Sequence, residues 1–179
     1  ALITGASNGL GKDFAKELSK QGYDLVLVAR SKDKLDKLSS ELKTLVYVEV
    51  MDLSVKENAY KLYSKYKGKI DLLINNAGFG TCGKFTKTDL ETELNMIDLN
   101  ITAYHILTKL YLKDMKEKNK GKILNVASIA GFMPGPLMAT YYATKSYVVR
   151  LSESIREELR KEKSNVKISI LCPGPVETN

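Results

Sequence analysis

Cysteine, proline, histidine and tryptophan are all scarce in this sequence. Two cysteines, four prolines, one histidine and no tryptophan occur among 179 residues. Cys82 and Cys172 stand far apart, with neither a metal-site spacing nor a disulfide framework, which predicts a metal-free protein in a reducing compartment. A cytoplasmic location is expected. Because Ala1-Leu2-Ile3 resembles the last part of a strand, an upstream membrane anchor stays open.

Long hydrophobic runs and low-complexity segments are also missing. No apolar run approaches the ~20 residues of a membrane-spanning helix, and no charged-then-apolar leader opens the sequence. The hydrophobic fraction of 44% and the charged fraction of 27% are ordinary for a globular domain. We predict a single domain over residues 1–179, truncated at both ends, with an incomplete first strand and with the substrate-loop segment and a last strand after residue 179 absent.

Charge is the one imbalance in the composition. The formal net charge is +7, and polyanions such as nucleic acids attract lysine-rich surfaces. The lysines are spread over predicted helix faces, as between Lys109 and Lys122, where Asp114 and Glu117 intervene. This distribution predicts no nucleic-acid binding. An acidic partner stays open as an alternative, and steep salt dependence of binding would support it.

Short β-branched runs alternate along the chain with longer segments of helical spacing, which is the pattern of βαβ units. The predicted strands are Ala1–Thr4, Tyr23–Ala29, Leu45–Met51, Ile70–Asn75, Lys122–Ala127 and Val166–Leu171. The predicted helices are Gly9–Gln21, Lys32–Leu42, Lys56–Lys67, Leu90–Asn119 and Tyr141–Lys163. We therefore predict an α/β fold, a doubly wound parallel sheet in three α/β/α layers, with ligands at the carboxyl ends of the strands.

A glycine-rich turn joins the first predicted strand to the first helix, in the segment Thr4-Gly5-Ala6-Ser7-Asn8-Gly9-Leu10-Gly11. Glycine lets the backbone turn tightly and approach a pyrophosphate, which then meets the free amides and positive dipole end of the helix. A glycine-rich loop without a ligand is the alternative. The flanking strand and helix favour the dinucleotide, bound by Gly5, Ser7, Asn8, Gly9, Leu10 and Gly11.

The second predicted strand ends in Ala29-Arg30-Ser31, where an acidic residue would be expected to bind a ribose with free hydroxyls. The guanidinium of Arg30 instead offers planar donors to a 2′-phosphate, which predicts a preference for NADP(H), with NAD(H) possible. Ser31 and Lys12 are placed to assist. An ordinary solvated arginine is the alternative interpretation.

The spacing Tyr-x-x-x-Lys places a phenol and an ammonium on one helical face, and it occurs twice. Tyr63 and Lys67 lie on a lysine-rich helix and are interpreted as solvated side chains. Tyr141 and Lys145 start a helix reached from Ser128, which ends the fifth predicted strand. Convergence of a strand end and a helix start makes this second pair the candidate for catalysis.

Together with Asn75-Asn76-Ala77-Gly78 after the fourth strand and Pro173-Gly174 after the sixth, these motifs make the whole chain resemble the short-chain dehydrogenase/reductase family, which has a Rossmann fold. The glycine spacing resembles its compact single-domain branch, which leaves sugar-nucleotide epimerase chemistry as a minor alternative. The resemblance implies transfer of a hydride between the nicotinamide and a carbonyl or secondary alcohol. Binding of NADP as a sensor without turnover is a second hypothesis, against which the catalytic residues argue.

The resemblance also implies a role for each candidate residue. Tyr141 is the general acid or base, Lys145 holds the nicotinamide ribose, Ser128 binds the substrate oxygen, and Asn100 completes the set. Asn100 lies within a long apolar-faced helix, where asparagine competes for backbone hydrogen bonds, so we expect a disturbed helix with a water relay. The implied further cofactor contacts are Asp52, Leu53, Asn76, Ala77, Gly78, Pro173, Gly174, Val176 and Thr178.

The substrate and the assembly state are predicted only in outline. Apolar side chains in two loops favour an aliphatic or acyl-chain ketone, aldehyde or secondary alcohol; they are Phe79, Phe132, Met133, Leu137 and Met138. In the family, two long helices pair across a two-fold axis, which implies a homodimer or homotetramer here. The sole histidine, His105, is interpreted as a partly buried helical residue without a catalytic role.

Overall fold

A computed structural model describes residues 1–175; Val176 and Thr178 lie outside the described residues. The strands are β1 (Leu2–Thr4), β2 (Leu25–Ala29), β3 (Val46–Val50), β4 (Leu72–Asn75), β5 (Lys122–Val126) and β6 (Lys167–Leu171). The helices are α1 (Gly9–Lys20), α2 (Lys32–Glu41), α3 (Lys56–Tyr66), α4 (Leu90–Ile97), α5 (Tyr104–Glu117) and α6 (Ala139–Lys161). A π-helical segment, Asp98–Ala103, and a 3₁₀ turn, Ile129–Phe132, complete the elements.

The six strands form one parallel sheet in the order β3-β2-β1-β4-β5-β6. The order reverses between β1 and β4, which pair through Leu2 with Leu73 and Ile3 with Ile74. The predicted doubly wound parallel sheet is confirmed. In such a sheet the crevice beyond the carboxyl ends of the strands at the reversal is the place for a ligand.

Helices cover both faces of the sheet. Successive side chains of a strand point to opposite faces, so neighbouring residues of one strand contact different helices. In β1, Leu2 packs into a cluster with Leu62 of α3 and Leu107 of α5. Its neighbour Ile3 packs into a second cluster with α1 and α2 residues such as Leu18. The sheet and its helices therefore form three layers, as predicted, with an apolar cluster on each side of the sheet.

The edge strand β3 is less buried than its neighbour β2. Tyr47 and Val50 are each 47% exposed. Glu49 points inward instead and is 6% exposed, and its carboxylate accepts hydrogen bonds from Tyr66 Oη and Lys65 Nζ, each at 2.5 Å. An apolar run in the sequence therefore does not distinguish a central strand from a partly exposed edge strand.

The long helix predicted over Leu90–Asn119 is interrupted. It consists of α4, the π-helical segment Asp98–Ala103 and α5, which ends at Glu117. Asn100 lies inside the π-helical segment and is fully buried. The expected disturbance of the helix around Asn100 is confirmed, and the water relay stays a prediction.

Candidate active site

A cavity of about 650 Å³ opens at the carboxyl ends of the strands. Most of the residues predicted to bind cofactor or substrate line it: Gly5, Ser7, Asn8, Gly9, Leu10, Arg30, Ser31, Asp52, Leu53, Asn76, Ala77, Gly78, Ser128, Tyr141, Lys145, Pro173 and Gly174. Gly11, Asn100 and Lys12 are not among the lining residues. The sequence therefore predicts one site, and the fold brings nearly all of it together.

The glycine turn leads into the cavity. Gly5 and Gly9 adopt φ angles of +66° and +47°, a left-handed conformation in which a side chain would be strained. Helix α1 begins at Gly9, its N-cap Asn8 makes no side-chain capping hydrogen bond, and its first turn has no acidic residue. The uncapped amides and the positive end of the dipole thus suit a phosphate.

Gly11 serves the same turn by packing rather than by lining the cavity. A Cβ at Gly11 would lie 2.2 Å from the carbonyl oxygen of Gly5 and 2.6 Å from Nδ2 of Asn76. Any side chain at this position would therefore push α1 away from β1. Gly11 thus has a packing role in the turn, and its contact with the cofactor stays a prediction.

Thr4 and Asn76 fasten the glycine turn to the neighbouring strand end. Thr4 Oγ1 accepts hydrogen bonds from the amides of Asn76 at 2.9 Å and Ala77 at 3.0 Å. The side-chain Nδ2 of Asn76 donates in return to the backbone carbonyls of Thr4 and Gly5, each at 3.1 Å. Thr4 was missed by sequence reasoning, since only the fold shows which residues lie opposite its hydroxyl.

Basic side chains gather beyond the end of β2. The guanidinium of Arg30 lies 3.9 Å from the carboxylate of Asp52 and its side chain is 71% exposed. Lys34 Nζ donates to Oδ1 of Asn8 at 2.9 Å, which brings a second cation to the edge of the glycine turn. Lys34 was also missed. Its position one helical turn after Ser31 is the signal that could have indicated it.

Tyr141 and Lys145 lie in the first turns of α6, and Ser128 follows β5. Ser128 Oγ accepts from the amide of Ala130 at 3.1 Å and donates to the carbonyl of Pro173 at 3.4 Å. The ring of Tyr141 packs against Gly80, where an added Cβ would lie 2.8 Å from Cδ2. Of the four catalytic candidates, Ser128, Tyr141 and Lys145 line the cavity and Asn100 does not.

Lys145 is a buried ammonium, only 5% exposed. Nζ donates to the carbonyl of Val126 at 3.2 Å and lies 5.7 Å from the ring centroid of Tyr141. Burial lowers the pKa of Lys145 to about 8, and the nearby thiol of Cys172 acts weakly in the opposite direction. The lysine is thus held beside the ring of Tyr141.

Asn100 links the π-helical segment to the loop after β4 and to α6. Its Oδ1 accepts from the amide of Phe79 at 3.1 Å, while Nδ2 donates to the carbonyl of Phe79 at 2.9 Å and to Oγ1 of Thr144 at 3.1 Å. Thr144 in turn donates to the carbonyl of Tyr141 at 2.7 Å. Asn100 therefore positions the cavity wall from behind, and Thr144 is a further residue that the sequence did not reveal.

The apolar residues predicted to form a substrate pocket divide between two places. Phe79 and Met138 line the main cavity, together with Leu99. Phe132 and Met133 line a neighbouring depression and are each 54% exposed. Leu137 lines neither the cavity nor the depression, and it is 52% exposed. Its φ is +68°, and its carbonyl accepts a hydrogen bond from the amide of Gly83.

Two predictions about residues outside the cavity are wrong. Tyr63 is not a solvated side chain: it is partly buried against the core and donates to Oδ1 of Asp114 at 2.7 Å. Lys67 is exposed, as expected. His105 is exposed rather than partly buried, and its Nδ1 lies 2.7 Å from Oη of Tyr147.

Comparison with known proteins identifies the family of this chain. The family model for short chain dehydrogenase matches residues 1–179. The very-long-chain 3-oxoacyl-CoA reductase of Homo sapiens is 38% identical over 173 residues, which are 90% of this chain and 55% of that protein. The chain therefore spans about half the length of this relative.

Two solved structures combine high structural similarity with different cofactors. A short-chain dehydrogenase from Sphingobium yanoikuyae in complex with NADPH has a TM-score of 0.91 and 33% identity, covering 99% of this chain and 71% of that one. A short-chain dehydrogenase/reductase from Burkholderia phymatum in complex with NAD has a TM-score of 0.92 and 30% identity, covering 99% of this chain and 66% of that one.

Among the described residues, no helix is long and apolar enough to cross a membrane.

Proposed function

Because the chain belongs to the short-chain dehydrogenase/reductase family, we propose that this protein is an NADP(H)-dependent oxidoreductase in which Tyr141 is the general acid or base. Members of the family bind NAD(P) and act on carbonyl and CH–OH groups. The proposal is carried by one observation: Tyr141, Lys145 and Ser128 line the same cavity as the glycine turn.

Each catalytic side chain has a task that follows from its position. The phenol of Tyr141 gives a proton to a carbonyl oxygen in reduction and takes one from an alcohol in oxidation. A tyrosine in water has a pKa of about 10, so a positive charge such as the Lys145 ammonium is needed to bring proton transfer toward neutral pH. The hydroxyl of Ser128 stabilises the developing alkoxide by a hydrogen bond.

The residues present fit a dinucleotide. The glycine turn and the free end of α1 would hold the pyrophosphate, and the adenosine would lie against Asp52, Leu53, Asn76, Ala77 and Gly78. Pro173 and Gly174 would hold the nicotinamide end, and the cofactor would supply or accept the hydride there. Gly78 suits this wall, because an added Cβ would lie 2.9 Å from Oδ1 of Asn100.

The cations beyond β2 favour NADP(H) over NAD(H). A 2′-phosphate beside Arg30 and Lys34 meets two positive charges, and bidentate arginine–phosphate pairs are among the stronger hydrogen bonds in proteins. Asp52 accompanies Arg30 at 3.9 Å and weakens this attraction without cancelling it. Since similar structures hold NADPH or NAD, the preference is tested directly below.

An apolar ketone, aldehyde or secondary alcohol is the proposed substrate. Phe79, Leu99 and Met138 line the cavity, and the exposed Phe132 and Met133 lie at a neighbouring depression. The similarity to a very-long-chain 3-oxoacyl-CoA reductase supports acyl-chain ketones within this class. We further propose a homodimer or homotetramer, since Leu90 and Leu94 of α4 are 64% and 44% exposed; light scattering checks the assembly state.

The testing experiment measures NADPH and NADH oxidation with ketones of increasing chain length, including 3-oxoacyl thioesters. Tyr141→Phe is expected to lower kcat/KM by the ~10²–10⁴-fold typical of acid–base catalysis. Arg30→Asp is expected to raise KM for NADPH by ~10-fold or more, as loss of a charge-assisted hydrogen bond would. Lys34→Met tests the second cation, with the exposed Lys32→Met as its matched control.

Each result decides between two hypotheses. Wild-type turnover that Tyr141→Phe leaves unchanged would show that the catalytic assignment is wrong. Binding of both cofactors without turnover of any carbonyl would instead support a dinucleotide sensor. Equal KM values for NADPH in the wild type and in Arg30→Asp would remove the proposed cofactor preference.

A further inference from the structure

A second tyrosine, Tyr104, lies beside the catalytic lysine. It is the first residue of α5, follows the π-helical segment directly and is 2% exposed. Its hydroxyl donates to the carbonyl of Val126 at 3.2 Å. The same carbonyl accepts from Lys145 Nζ, also at 3.2 Å. The phenol and the ammonium therefore share one acceptor at the end of β5.

The ring of Tyr104 also faces the ammonium. Lys145 Nζ lies 5.8 Å from the Tyr104 ring centroid and 5.7 Å from that of Tyr141. Both distances are within the ~6 Å range of a cation–π attraction, which strengthens when the cation is removed from water. The ammonium thus approaches two aromatic rings, of which only that of Tyr141 lines the cavity.

Such an environment matters because Lys145 is buried. Burial disfavours the charged amine, and the titratable groups that face it are Tyr104, Tyr141 and the thiol of Cys172. The thiol of Cys172 favours the ammonium and opposes the effect of burial. The two aromatic rings and the Val126 carbonyl lie where they favour the ammonium as well. Removing the Tyr104 ring would leave less to offset the loss of water.

We propose that Tyr104 is a positioning residue that keeps the ammonium of Lys145 charged and in place beside Tyr141. The proposal rests on the proposed catalytic role of Lys145. Tyr104 does not line the cavity, so its effect passes entirely through the lysine. The π-helical segment places Asn100 and Tyr104 on the same side of the helix pair, where one contacts Thr144 and the other Lys145.

Tyr111 provides a matched control on the same helix. It is two turns further along α5, is 1% exposed, and among the described residues its hydroxyl has no hydrogen-bond partner. Its ring packs edge-on against Tyr63, with centroids 5.2 Å apart. Replacing Tyr111 by leucine or phenylalanine therefore removes the same atoms from the core without affecting Lys145.

The experiment compares Tyr104→Leu and Tyr104→Phe with Tyr111→Leu and Tyr111→Phe. The pH dependence of kcat/KM for alcohol oxidation is one readout, since this direction needs the deprotonated phenol. Loss of the ring is expected to move the rising limb of Tyr104→Leu up by about one pH unit and to lower kcat/KM about 10-fold at neutral pH. Tyr104→Phe keeps the ring and is expected to change kcat/KM less than ~3-fold.

The amine itself supplies a readout that does not depend on turnover. In protein labelled with ¹³C-lysine, the signal absent from Lys145→Met is assigned to Lys145 and titrated by NMR. Its midpoint is expected to be lower in Tyr104→Leu than in the wild type and in Tyr111→Leu. A lowered midpoint in a protein without turnover would support the contact while overturning the proposed function. Equal midpoints in Tyr104→Leu and Tyr111→Leu would overturn the positioning role.

Discussion

The spacing Tyr-x-x-x-Lys occurs in two different settings, at the end of α3 and at the start of α6. On α3, the phenol of Tyr63 donates to the carboxylate of Asp114 at 2.7 Å. Lys67 lies just past the end of this helix and is exposed. On α6, Tyr141 lines the cavity and Lys145 is 5% exposed. The spacing alone does not decide what surrounds the two side chains. The elements packed against them determine their chemistry.

The neighbouring elements give the two pairs opposite electrostatics. Helix α3 packs against α5, whose Asp114 faces Tyr63; burial and the hydrogen bond to Asp114 raise the pKa of Tyr63 to about 12. Helix α6 packs against the end of β5 and the π-helical segment, and burial lowers the pKa of Lys145 to about 8. A phenol that donates to a carboxylate keeps its proton more tightly, and Tyr141 has no such partner among the described residues.

The largest difference between the pairs is expected when each lysine is removed. Lys145→Met takes away the positive charge beside Tyr141 and is expected to lower kcat/KM by about 10³-fold, the upper end for loss of one electrostatic stabiliser. Lys67→Met should leave kcat/KM within about twofold, since surface substitutions rarely act at a distance. Steady-state kinetics check both, and equal losses in the two variants would show that the spacing, not the setting, matters.

A smaller loss of kcat/KM than that of Lys145→Met is expected when the ring of Tyr141 is displaced but kept. Gly80→Ala places a Cβ 2.8 Å from Cδ2 of Tyr141, so the ring has to shift. Misplacement of a reacting group by about 1 Å costs on the order of 10²-fold in rate. Gly83→Ala is the control in the same loop, because its Cβ would meet Cγ2 of Thr88 at 2.8 Å instead. If both variants lose the same activity, the contact with Tyr141 is not the cause.

The cofactor half of the site could be predicted because its signals are local. The glycine turn lies between a strand and a helix that are adjacent in sequence, so Gly5 and Gly9 needed no knowledge of distant contacts. Arg30 likewise follows directly from the end of β2. The parallel sheet was predictable for the same reason, since each strand and crossover helix is a continuous segment.

The contacts that tune the catalytic half depend on residues far apart in sequence. The carboxylate of Asp114 reaches Tyr63 across 51 positions, and Asn100 bonds Thr144 across 44. Asn100 itself was assigned through the family resemblance, because an asparagine among apolar helix residues can have either a structural or a functional role. Tyr104 had no signal at all, as its partners Val126 and Lys145 are identified only by the packing of α5 and α6.

The pH dependence of stability is expected to differ in sign between the two pairs. The folded protein holds the pKa of Lys145 at about 8, below the 10.5 of a free lysine, so between these values the unfolded chain binds the extra proton. The free energy of unfolding therefore rises with pH over this window, by on the order of 2 kcal/mol in all. This stabilisation is lost again as the pH falls through the window to 8. Urea unfolding of the wild type and Lys145→Met at pH 7 to 10 measures the difference.

Tyr63 is expected to give the opposite and smaller slope. Its pKa is about 12 in the folded protein and 10 when free, so the folded state retains the proton longer, and the stability it contributes is complete below pH 10 and declines as pH rises toward 12. Because the side chain is only partly buried, we expect less than ~1 kcal/mol. Tyr63→Phe should flatten this decline relative to the wild type. A decline of equal size in both proteins would mean that Asp114 does not hold the Tyr63 proton, and the contrast between α3 and α6 would then rest on Lys145 alone.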